Sequence, residues 1–493
     1  MKKFLIVLLS LGLIAAFSMT ASAADVKFSG SYYVVGVYDN NDSLRDTSNT
    51  NSRAFFYQRV RLQPVFQIAE GLTFTARMDA LEKQWGQTNW KGGFEDVTLS
   101  RKLTSVTADP PRGIQESFEF ERGYVTFQTA IGQFQVGYQA ANTWGTAFAD
   151  SGTTRPRIFY MTAVGPLTLL AIYEKWFETD SASNTGFVGP VATTYKGKAA
   201  ADNNVYFLAG IYGFPGGSAG LLYVFGDIAS SRIGTAATPT DMGYRTKMHV
   251  LAPMVKATFG PVYVESEVLY TFGKAAEFDA GGQDVDFNGW AAYLMAKTNL
   301  GPAYVGAQVG WSAGDNNAAD NKDSTGLGGG SDWNPALILL NDDLNTWASG
   351  TLATGNWKQH VSRVLPAGTT FVSISGPPAN DKKNTMIYNI FAGFNPMPKL
   401  NVEASLTVAA VDKKDVVLTT KTAGVETKRS ASFDSKNLGT EFDLKATYKL
   451  YDNLSYMVGA GYLWTGDYFK GPAGSGIQVD NDYMLMNKLT LSF

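Results

Sequence analysis

The sequence predicts an all-β protein, a closed antiparallel β-barrel of about 18 transmembrane strands, and three features of the chain lead to that fold class. The closing segment, Tyr483 to Phe493, alternates between apolar and mixed residues with a strict period of two. Charged residues make up 17% of the 493 residues, whereas soluble proteins contain about 25%. Short turn signals and long polar stretches alternate regularly along the chain, as in a barrel with short turns at one edge and long loops at the other.

The closing strand is the clearest single element. One of its faces carries Tyr483, Leu485, Asn487, Leu489, Leu491 and Phe493, and the other carries Met484, Met486, Lys488, Thr490 and Ser492. Such alternation over about ten residues is the repeat of a transmembrane β-strand. A strand that stops on a terminal aromatic resembles the C-terminal end of Gram-negative outer-membrane barrels. The resemblance implies that Tyr483, Leu489, Leu491 and Phe493 form the outer-membrane insertion signal, with the barrel-insertion machinery as a partner.

Composition excludes several other classes of protein. The mean hydropathy of −0.10 argues against a helical membrane protein, and a net charge of −3 offers no basic excess for nucleic acid. The chain has no cysteine, which removes thiolate metal ligands, thiol nucleophiles and disulfides. His249 and His360 lie far apart in sequence, so no multi-histidine metal centre is expected. We therefore predict no cofactor and no metal.

The N-terminus predicts export. Lys2 and Lys3 precede an apolar run from Phe4 to Phe17, and Ala21-Ser22-Ala23 has the small residues of a cleavage site. The alternative is a membrane anchor, but the run is short for a span of about 20 apolar residues. We predict a signal peptide over residues 1–23 and a single barrel over residues 24–493, located in the cell outer membrane.

From Val26 onward the segments follow one another in barrel order. The first four strands are expected near residues 26–38, 53–68, 72–81 and 118–128. Turn signals follow at Ile131-Gly132, Gly165-Pro166, Pro215-Gly216-Gly217, Gly260-Pro261, Gly301-Pro302, Pro396-Met397-Pro398 and Asp452-Asn453. Polar stretches separate them at residues 143–153, 179–203, 229–243, 276–285, 315–383, 413–436 and 468–480. Counting these segments gives 18 strands, although a miscount of two is left open. The short turns are predicted at the periplasmic edge of the barrel and the long loops at the extracellular edge.

Alternation also predicts which side chains face the lumen. A charge on the lipid face near the bilayer midplane costs about 2–4 kcal/mol, so Arg59, Arg61 and Arg77 are expected inside. In strand ten, Arg245, Lys247 and His249 are expected inside, with a bulge at Pro253 that reverses the two faces. Strand four is ambiguous: Arg122 is expected inside, but the same parity leaves Glu119 and Glu121 on the lipid side. Either a bulge intervenes, or these two glutamates already lie above the membrane.

The longest loop, residues 315–383, is the outlier, because structureless loops of that length are usually functional or disordered. Asp315 to Asp332 is rich in Gly, Asn and Asp and is predicted to be exposed. A short helix is predicted near residues 335–347, with Asn334 as N-cap, Pro335 at its first position and an apolar stripe of Leu337, Leu340, Leu344 and Trp347. The loop could fold into the lumen as a constriction or close over the barrel as a lid.

Basic side chains on the predicted inner faces are the candidate site. The predicted pore-lining residues are Arg59, Arg61, Arg77, Arg122, Arg157, Arg245 and Lys247, joined by Arg155 and His249. In a narrow wet lumen such a series attracts anions, and the planar fork of arginine matches a carboxylate. A second interpretation, compatible with the first, is that inward arginines pair with inward acids and fix the lumen. Partners available for that pairing are Asp79, Glu174, Glu265 and Glu267.

The segment Leu438-Gly439-Thr440-Glu441-Phe442-Asp443, with the hairpin from Tyr448 to Leu454 and Gly459-Ala460-Gly461-Tyr462, resembles outer-membrane porins of the alginate-export type. The resemblance implies an 18-stranded barrel with an arginine-lined, anion-selective pore.

The function predicted is passive diffusion of small anionic or polar solutes, without enzymatic activity, by a monomer or trimer held in outer-membrane lipid and lipopolysaccharide. The alternative is a non-conducting barrel, acting as an adhesin or as the sheath of an electron-transfer partner. A hydrolase that uses Glu265 and Glu267, about 7 Å apart by strand rise, comes third.

Overall fold

A computed structural model describes residues 25–41, 44, 46, 52–86, 118–178, 185–188, 191–194, 202–230, 244–278, 283–317, 320–341, 369–374, 382–422, 425–472, 474 and 476–493. The predicted signal peptide and His360 lie outside the described residues.

The described chain forms one large barrel. Its strands are β1 (Asp25–Asp39), β2 (Arg53–Ala69), β3 (Leu72–Gln84), β4 (Phe118–Thr129), β5 (Gly132–Ala140), β6 (Thr154–Val164), β7 (Leu167–Phe177), β8 (Asn203–Phe214), β9 (Gly217–Ile228), β10 (Tyr244–Phe259), β11 (Val262–Phe278), β12 (Val285–Leu300), β13 (Ala303–Ser312), β14 (Thr385–Met397), β15 (Leu400–Val411), β16 (Asn437–Tyr451), β17 (Leu454–Thr465) and β18 (Asp482–Ser492). Each strand pairs antiparallel with the next. The sheet closes where β1 pairs with β18, from Ser31 opposite Ser492 to Asp39 opposite Met484. The predicted count of 18 strands is therefore confirmed.

Two-residue turns join the strand pairs at one edge of the barrel, and longer loops join them at the other. Turns such as Gly260-Pro261 and Gly301-Pro302 need a residue with positive φ, and Gly260 and Gly301 supply it with φ of 58° and 64°. Closure leaves no free sheet edge, which is what lets strands cross a bilayer without unpaired backbone groups. Among the described residues, no helix combines the length and the hydropathy needed to cross a membrane.

The two faces of each strand are sharply different. Side chains such as Ile158, Leu208 and Leu294 are exposed on the outside, while Glu174 and Glu267 are buried on the inside. In β18, Tyr483, Leu489, Leu491 and Phe493 share the outer face with the exposed Leu485, as the sequence predicted. Their role as an insertion signal stays a prediction.

A β-bulge in β4 explains which residues of that strand face inward and which face outward. The register between β3 and β4 pairs Arg77 with Arg122 and then Met78 with Phe120, so Glu121 is an extra residue in β4. Phe118 and Phe120 are exposed outside, and the carboxylate of Glu121 turns inward, next to Asp79 and Glu82. The first of the two predicted explanations, a bulge, is the correct one.

The predicted faces of strand ten are wrong before Pro253, and the predicted bulge there is absent, because the pairing with β11 keeps one register from Leu251 opposite Tyr270 to Met254 opposite Glu267. His249 of β10 packs against Phe225 and Phe272, with ring centroids 5.0 Å apart in both pairs. Pro253, on the same face of β10, pairs with the exposed Leu221. The inner face instead carries Val250 and Ala252, which are buried. Aromatic rings on β9 and β11 make an outer belt that accepts an imidazole, and no pattern within β10 alone shows this.

The long loop after β13 also departs from the prediction. No helix forms over Pro335–Asn341, the part of the predicted helix within the described residues. The backbone N–H groups of Ile338 and Leu339, which a first helical turn leaves without partners, instead donate to a carboxylate of the barrel wall. Asp315 to Asp332 is mostly buried or half-buried rather than exposed. Farther along, Thr369–Ile374 pairs with Asp415–Thr422, which pairs with Val425–Ser432.

Gly30 lies where the first and last strands meet, and its substitution tests how tightly the barrel closes there. A methyl group on Gly30 would lie 2.6 Å from the Phe493 ring and 2.5 Å from the Arg61 carbonyl oxygen. We expect Gly30→Ala to destabilise the barrel by about 1–3 kcal/mol through overpacking, measured as a lower urea midpoint of the detergent-refolded protein. Gly210→Ala is the matched control, since its methyl meets only leucine side chains at 3.6–3.7 Å. Equal midpoints for the two variants would contradict the role of this contact.

Candidate functional site

Four of the predicted arginines meet on the inner face of β2, β3 and β4. Arg61 donates to both carboxylate oxygens of Asp79, at 2.7 and 2.6 Å. Arg59 donates to Glu82 at 3.1 Å, and Arg77 lies 3.8 Å from Asp79. The alternative of wall-shaping ion pairs is therefore correct for these three arginines, because each has an acid within ion-pair distance.

The acids of this network are close enough to suggest a metal ion. Carboxylate oxygens of Asp79, Glu82 and Glu121 all lie within 4.8 Å of one another. Arg59, Arg61 and Arg77 already engage two of these acids, so a cation would have to displace guanidinium groups. The cluster is an ion-pair network, and it offers no clear site for a metal.

A second inner pair lies on β6 and β7. Arg157 reaches Glu174 at 2.6 Å, and their side chains are only 8% and 0% exposed. Glu174 also accepts a hydrogen bond of 2.7 Å from the indole of Trp176. Burial of both charges makes this pair costly to break from one side.

Removing the acid of that pair should destabilise the barrel. Glu174→Gln leaves the Arg157 charge buried without a counterion, and we expect a loss of about 3–5 kcal/mol in the free energy of unfolding. Chemical denaturation of the refolded protein in detergent measures it. Asp227→Asn is the comparison: its partner Arg245 is 31% exposed, and exposed pairs contribute about 1 kcal/mol or less. A loss at Glu174 no larger than that at Asp227 would count against the buried pair.

Arg122 and Arg155 differ from the other inner arginines. Among the described residues, neither has a carboxylate within ion-pair distance; Arg155 lies over the Trp176 ring at 5.0 Å. The two belong to one row across the wall, because Arg77 pairs with Arg122 and Gln139 pairs with Arg155. Two strand spacings separate β4 from β6, about 10 Å. Within the part of the chain that the structure describes, these two inner guanidinium groups therefore carry a charge that no carboxylate pairs with.

Arg245 and Lys247 were predicted to line the pore, and the structure places them outside. Both share the outer face of β10 with His249. Arg245 pairs with Asp227 of β9, and Lys247 pairs with Glu277 at 2.7 Å. They form part of an outer rim above the aromatic belt, so five of the seven predicted basic residues remain inside.

A loop segment enters the barrel between β5 and β6. Within residues 141–153, the backbone N–H and Oγ1 of Thr146 both donate to Glu267 of β11 at 2.8 Å. Trp144 donates to the carbonyl oxygen of Ala252 in β10 at 3.0 Å. Phe148 stacks on Tyr293 of β12, with centroids 5.3 Å apart. The segment thus crosses from its own strands to the inner face of β10–β12.

A second segment, residues 326–341 of the long loop, is also inside. The N–H groups of Ile338 and Leu339 donate to the two carboxylate oxygens of Glu441 in β16, each at 2.7 Å. Trp333 donates to Gln308 of β13 at 2.9 Å. The described part of the loop is thus a constriction, the first of the two predicted alternatives.

The two inner segments contact each other directly, and together they are called the partition below. Trp333 packs edge-on against Phe148 with centroids 5.2 Å apart. The N–H of Asp332 donates to the Asp150 carbonyl at 3.1 Å, and the N–H of Gly330 donates to the Phe148 carbonyl. A Cβ at residue 330 would lie 1.7 Å from the Asp150 carbonyl oxygen, so only glycine allows this approach.

Asp150 is the titrating group at that junction. Burial, and then the nearby charge of Asp332, raise the pKa of Asp150 from 3.8 to about 7, while Lys256 lowers it. The carboxyl group therefore changes charge in the neutral pH range, inside the partition.

The carboxylates of β11 have structural roles. Glu265 accepts hydrogen bonds from Tyr263 at 2.9 Å and Tyr293 at 3.2 Å, and Glu267 holds the Thr146 loop. Sequence reasoning missed Glu441 and the anchoring role of Glu267. Each is an acid at an inward position of its strand, which is a detectable signal, but the loop atoms that they hold are far away in sequence.

A closed 18-stranded barrel with a polar interior and loops folded inside belongs to the class of outer-membrane channel proteins. The sequence matches the model of the Gram-negative porin family over residues 10–408. The chain is thus a Gram-negative porin, located in the outer membrane.

Solved structures of low sequence identity are similar to this chain. OccK2 (OpdF) of Pseudomonas aeruginosa, crystallised with glucuronate, is 12% identical with a TM-score of 0.47, covering 96% of this chain and 99% of its own. The outer-membrane channel DcaP of Acinetobacter baumannii is 11% identical with a TM-score of 0.40, at 96% and 99% coverage. OmpT of Vibrio cholerae, as a loop-deletion mutant, is 8% identical with a TM-score of 0.37, at 95% and 100% coverage. No curated protein matches the sequence.

Proposed function

We propose that this porin is a passive channel for small anionic or polar solutes and that Arg122 and Arg155 supply its anion preference. The observation that carries the proposal is the pair of inner guanidinium groups without a carboxylate partner among the described residues. Their row on β4–β6 lies across the barrel from the strands that hold the residue 326–341 segment, β13–β17. A solute therefore passes between a basic wall and the partition.

The physical basis is a fixed positive field in a restricted aqueous path. Barrels of 16–18 strands leave a water-filled interior, and charged side chains at its narrow section concentrate ions of the opposite sign. The arginines of the Asp79 and Glu174 pairs add little net charge, because their acids neutralise them. The predicted ladder of seven cations is thus reduced to a small unpaired set.

Several parts of the prediction are carried forward within this proposal. The resemblance of the closing hairpin to alginate-export porins makes carboxylated sugars the first solutes to assay. We further propose cleavage after Ala23, insertion directed by Phe493 and its outward neighbours, and a lipid and lipopolysaccharide surround. A monomer and a trimer both remain compatible with the barrel.

The second candidate, a non-conducting barrel that acts through its loops, is favoured by the partition itself. Two loop segments lie within the lumen and are held by buried carboxylates. Such packing narrows the path and, if complete, closes it.

One measurement tests both candidates. Purified protein reconstituted into planar bilayers under a KCl gradient should conduct, with a reversal potential that gives chloride preference over potassium. Cation preference would overturn the arginine proposal. Absence of any conductance from protein that migrates as a folded barrel would favour the closed barrel.

A further inference from the structure

We infer that Glu267 and Glu441 are positioning residues that hold the partition as a single gate, and that the width of the pore depends on these two carboxylates. The inference rests on the proposed channel function and adds to it the device that sets the bore. The inference concerns the width of the pore, whereas the proposal for Arg122 and Arg155 concerns its ion selectivity.

Glu441 is built to hold backbone rather than solute. Its side chain is completely buried, and its two oxygens each accept one N–H from consecutive residues, Ile338 and Leu339. Because each N–H donates to a different oxygen, both oxygens of Glu441 are needed as acceptors. A glutamine has one oxygen, so its NH₂ group would face one of the two N–H donors.

Glu267 holds the other half of the partition at a separate point. Both donors of Thr146 converge on one of its oxygens, Oε2, and the side chain is 1% exposed. Gly145 allows this approach: it has φ of 69°, and a Cβ there would lie 2.6 Å from the carboxylate. The loop therefore reaches the wall of β11 through a tight turn and one acid.

The junction makes the two halves move together. Besides the Phe148–Trp333 contact, the hydroxyl of Ser331 donates to the Ser151 carbonyl at 3.2 Å. Lys382, at the start of β14, donates to the Gly330 carbonyl at 3.3 Å. Releasing one carboxylate anchor leaves the partition attached at the other, and at single hydrogen bonds such as those of Trp144 to Ala252 and Trp333 to Gln308.

The decisive experiment compares single-channel conductance of matched variants in planar bilayers. We expect Glu441→Gln to raise conductance at least twofold or to add frequent large-conductance openings. Glu403→Gln, the control, loses the same charge from the inner wall of β15, where Glu403 is bound by Lys445 and Tyr304 at 2.7 Å. The second pair is Glu267→Ala against Glu265→Ala, on one face of β11. Within each pair, only the anchor variant should gain conductance.

Two further variants keep the inference falsifiable. Should Glu441→Gln fail to insert, Glu441→Asp retains the charge and withdraws the oxygens by one methylene, and it should also widen the pore. Because the chain has no cysteine, the pair Ser151→Cys and Ser331→Cys gives an unambiguous cross-link. Because the two halves already move together in a single gate, oxidation in a Glu441→Gln background should leave the conductance of that variant unchanged.

These measurements distinguish a failure of the gate from a failure of the proposed arginine selectivity. Equal conductance of anchor and control variants would overturn the gate, whatever the ion preference. Widened pores in the anchor variants, together with a cation-selective wild type, would keep the gate and overturn the arginine proposal. A cross-link that lowers the conductance of Glu441→Gln would show that the two segments had moved independently, against a single gate.

Discussion

Replacing Arg122 and Arg155 with glutamine should reduce anion preference more than any other inner substitution. Two unit charges about 6 Å apart in water interact with about 0.7 kcal/mol, which is about threefold in local ion concentration. Each arginine attracts anions and repels cations, so we expect the chloride-to-potassium permeability ratio to fall by about threefold or more for each variant. The reversal potential in a KCl gradient measures this ratio directly.

The outer rim supplies the control for that experiment. Arg245→Gln and Lys247→Gln remove the same unit of charge from side chains that were predicted to line the pore but lie outside the barrel. Their reversal potentials should match the wild type. A shift at Arg245 equal to that at Arg122 would mean that the assignment of inner and outer faces in β10 is wrong.

Asp150 should make the channel sensitive to pH around 7. The carboxyl of Asp150 is mostly protonated below its pKa of about 7 and ionised above it. Each ionised Asp150 adds a negative charge within the partition, beside Asp332 and Lys256 and near Glu267. We expect anion preference to fall as pH rises from 6 to 8, and Asp150→Asn to reduce that change. The reversal potential measured at stepped pH is the readout.

Ionisation of Asp150 should lower the stability of the folded barrel. The folded-state pKa of Asp150, about 7, lies above its ordinary value of 3.8, so the folded state holds the proton more tightly than the unfolded state. Stability therefore falls as pH rises between about 4 and about 7 and levels off above that range. Asp227→Asn, at the outer rim, should leave both pH profiles unchanged. A flat wild-type profile from pH 6 to 8 would rule out Asp150 as the titrating group.

The barrel itself was predictable because its signals are local. Alternation with period two marks one strand without reference to any other, as in Tyr483 to Phe493, and a turn such as Gly260-Pro261 is visible in two residues. Barrel closure then adds the one global requirement, an even strand number with both ends at the turn edge. The same local alternation placed Arg59, Arg61 and Arg77 inside correctly.

Local alternation fails where a neighbouring strand changes the faces. In β4 the extra residue Glu121 is defined by its register with β3. In β10, His249 satisfies a basic-inside pattern in sequence, but it stacks in an outer belt of rings from β9 and β11. Neither the bulge nor the belt has a signature in its own strand.

The predicted helix shows the same limit for a loop. Asn334 and Pro335 are good residues for a helix start, yet the N–H groups that follow find Glu441, more than 100 residues away, and the helix is replaced. Propensity over a few residues is worth less than two hydrogen bonds to a buried carboxylate.

By itself, the sequence predicted an outer-membrane barrel of about 18 strands with arginines on its early inner faces, because strand alternation and turn chemistry are local properties. Only the tertiary structure decided which arginines keep a free charge, since pairing with Asp79 or Glu174 depends on strand register. It also decided that two loop segments meet inside the lumen, because their anchors Glu267 and Glu441 lie on strands that closure alone brings within reach.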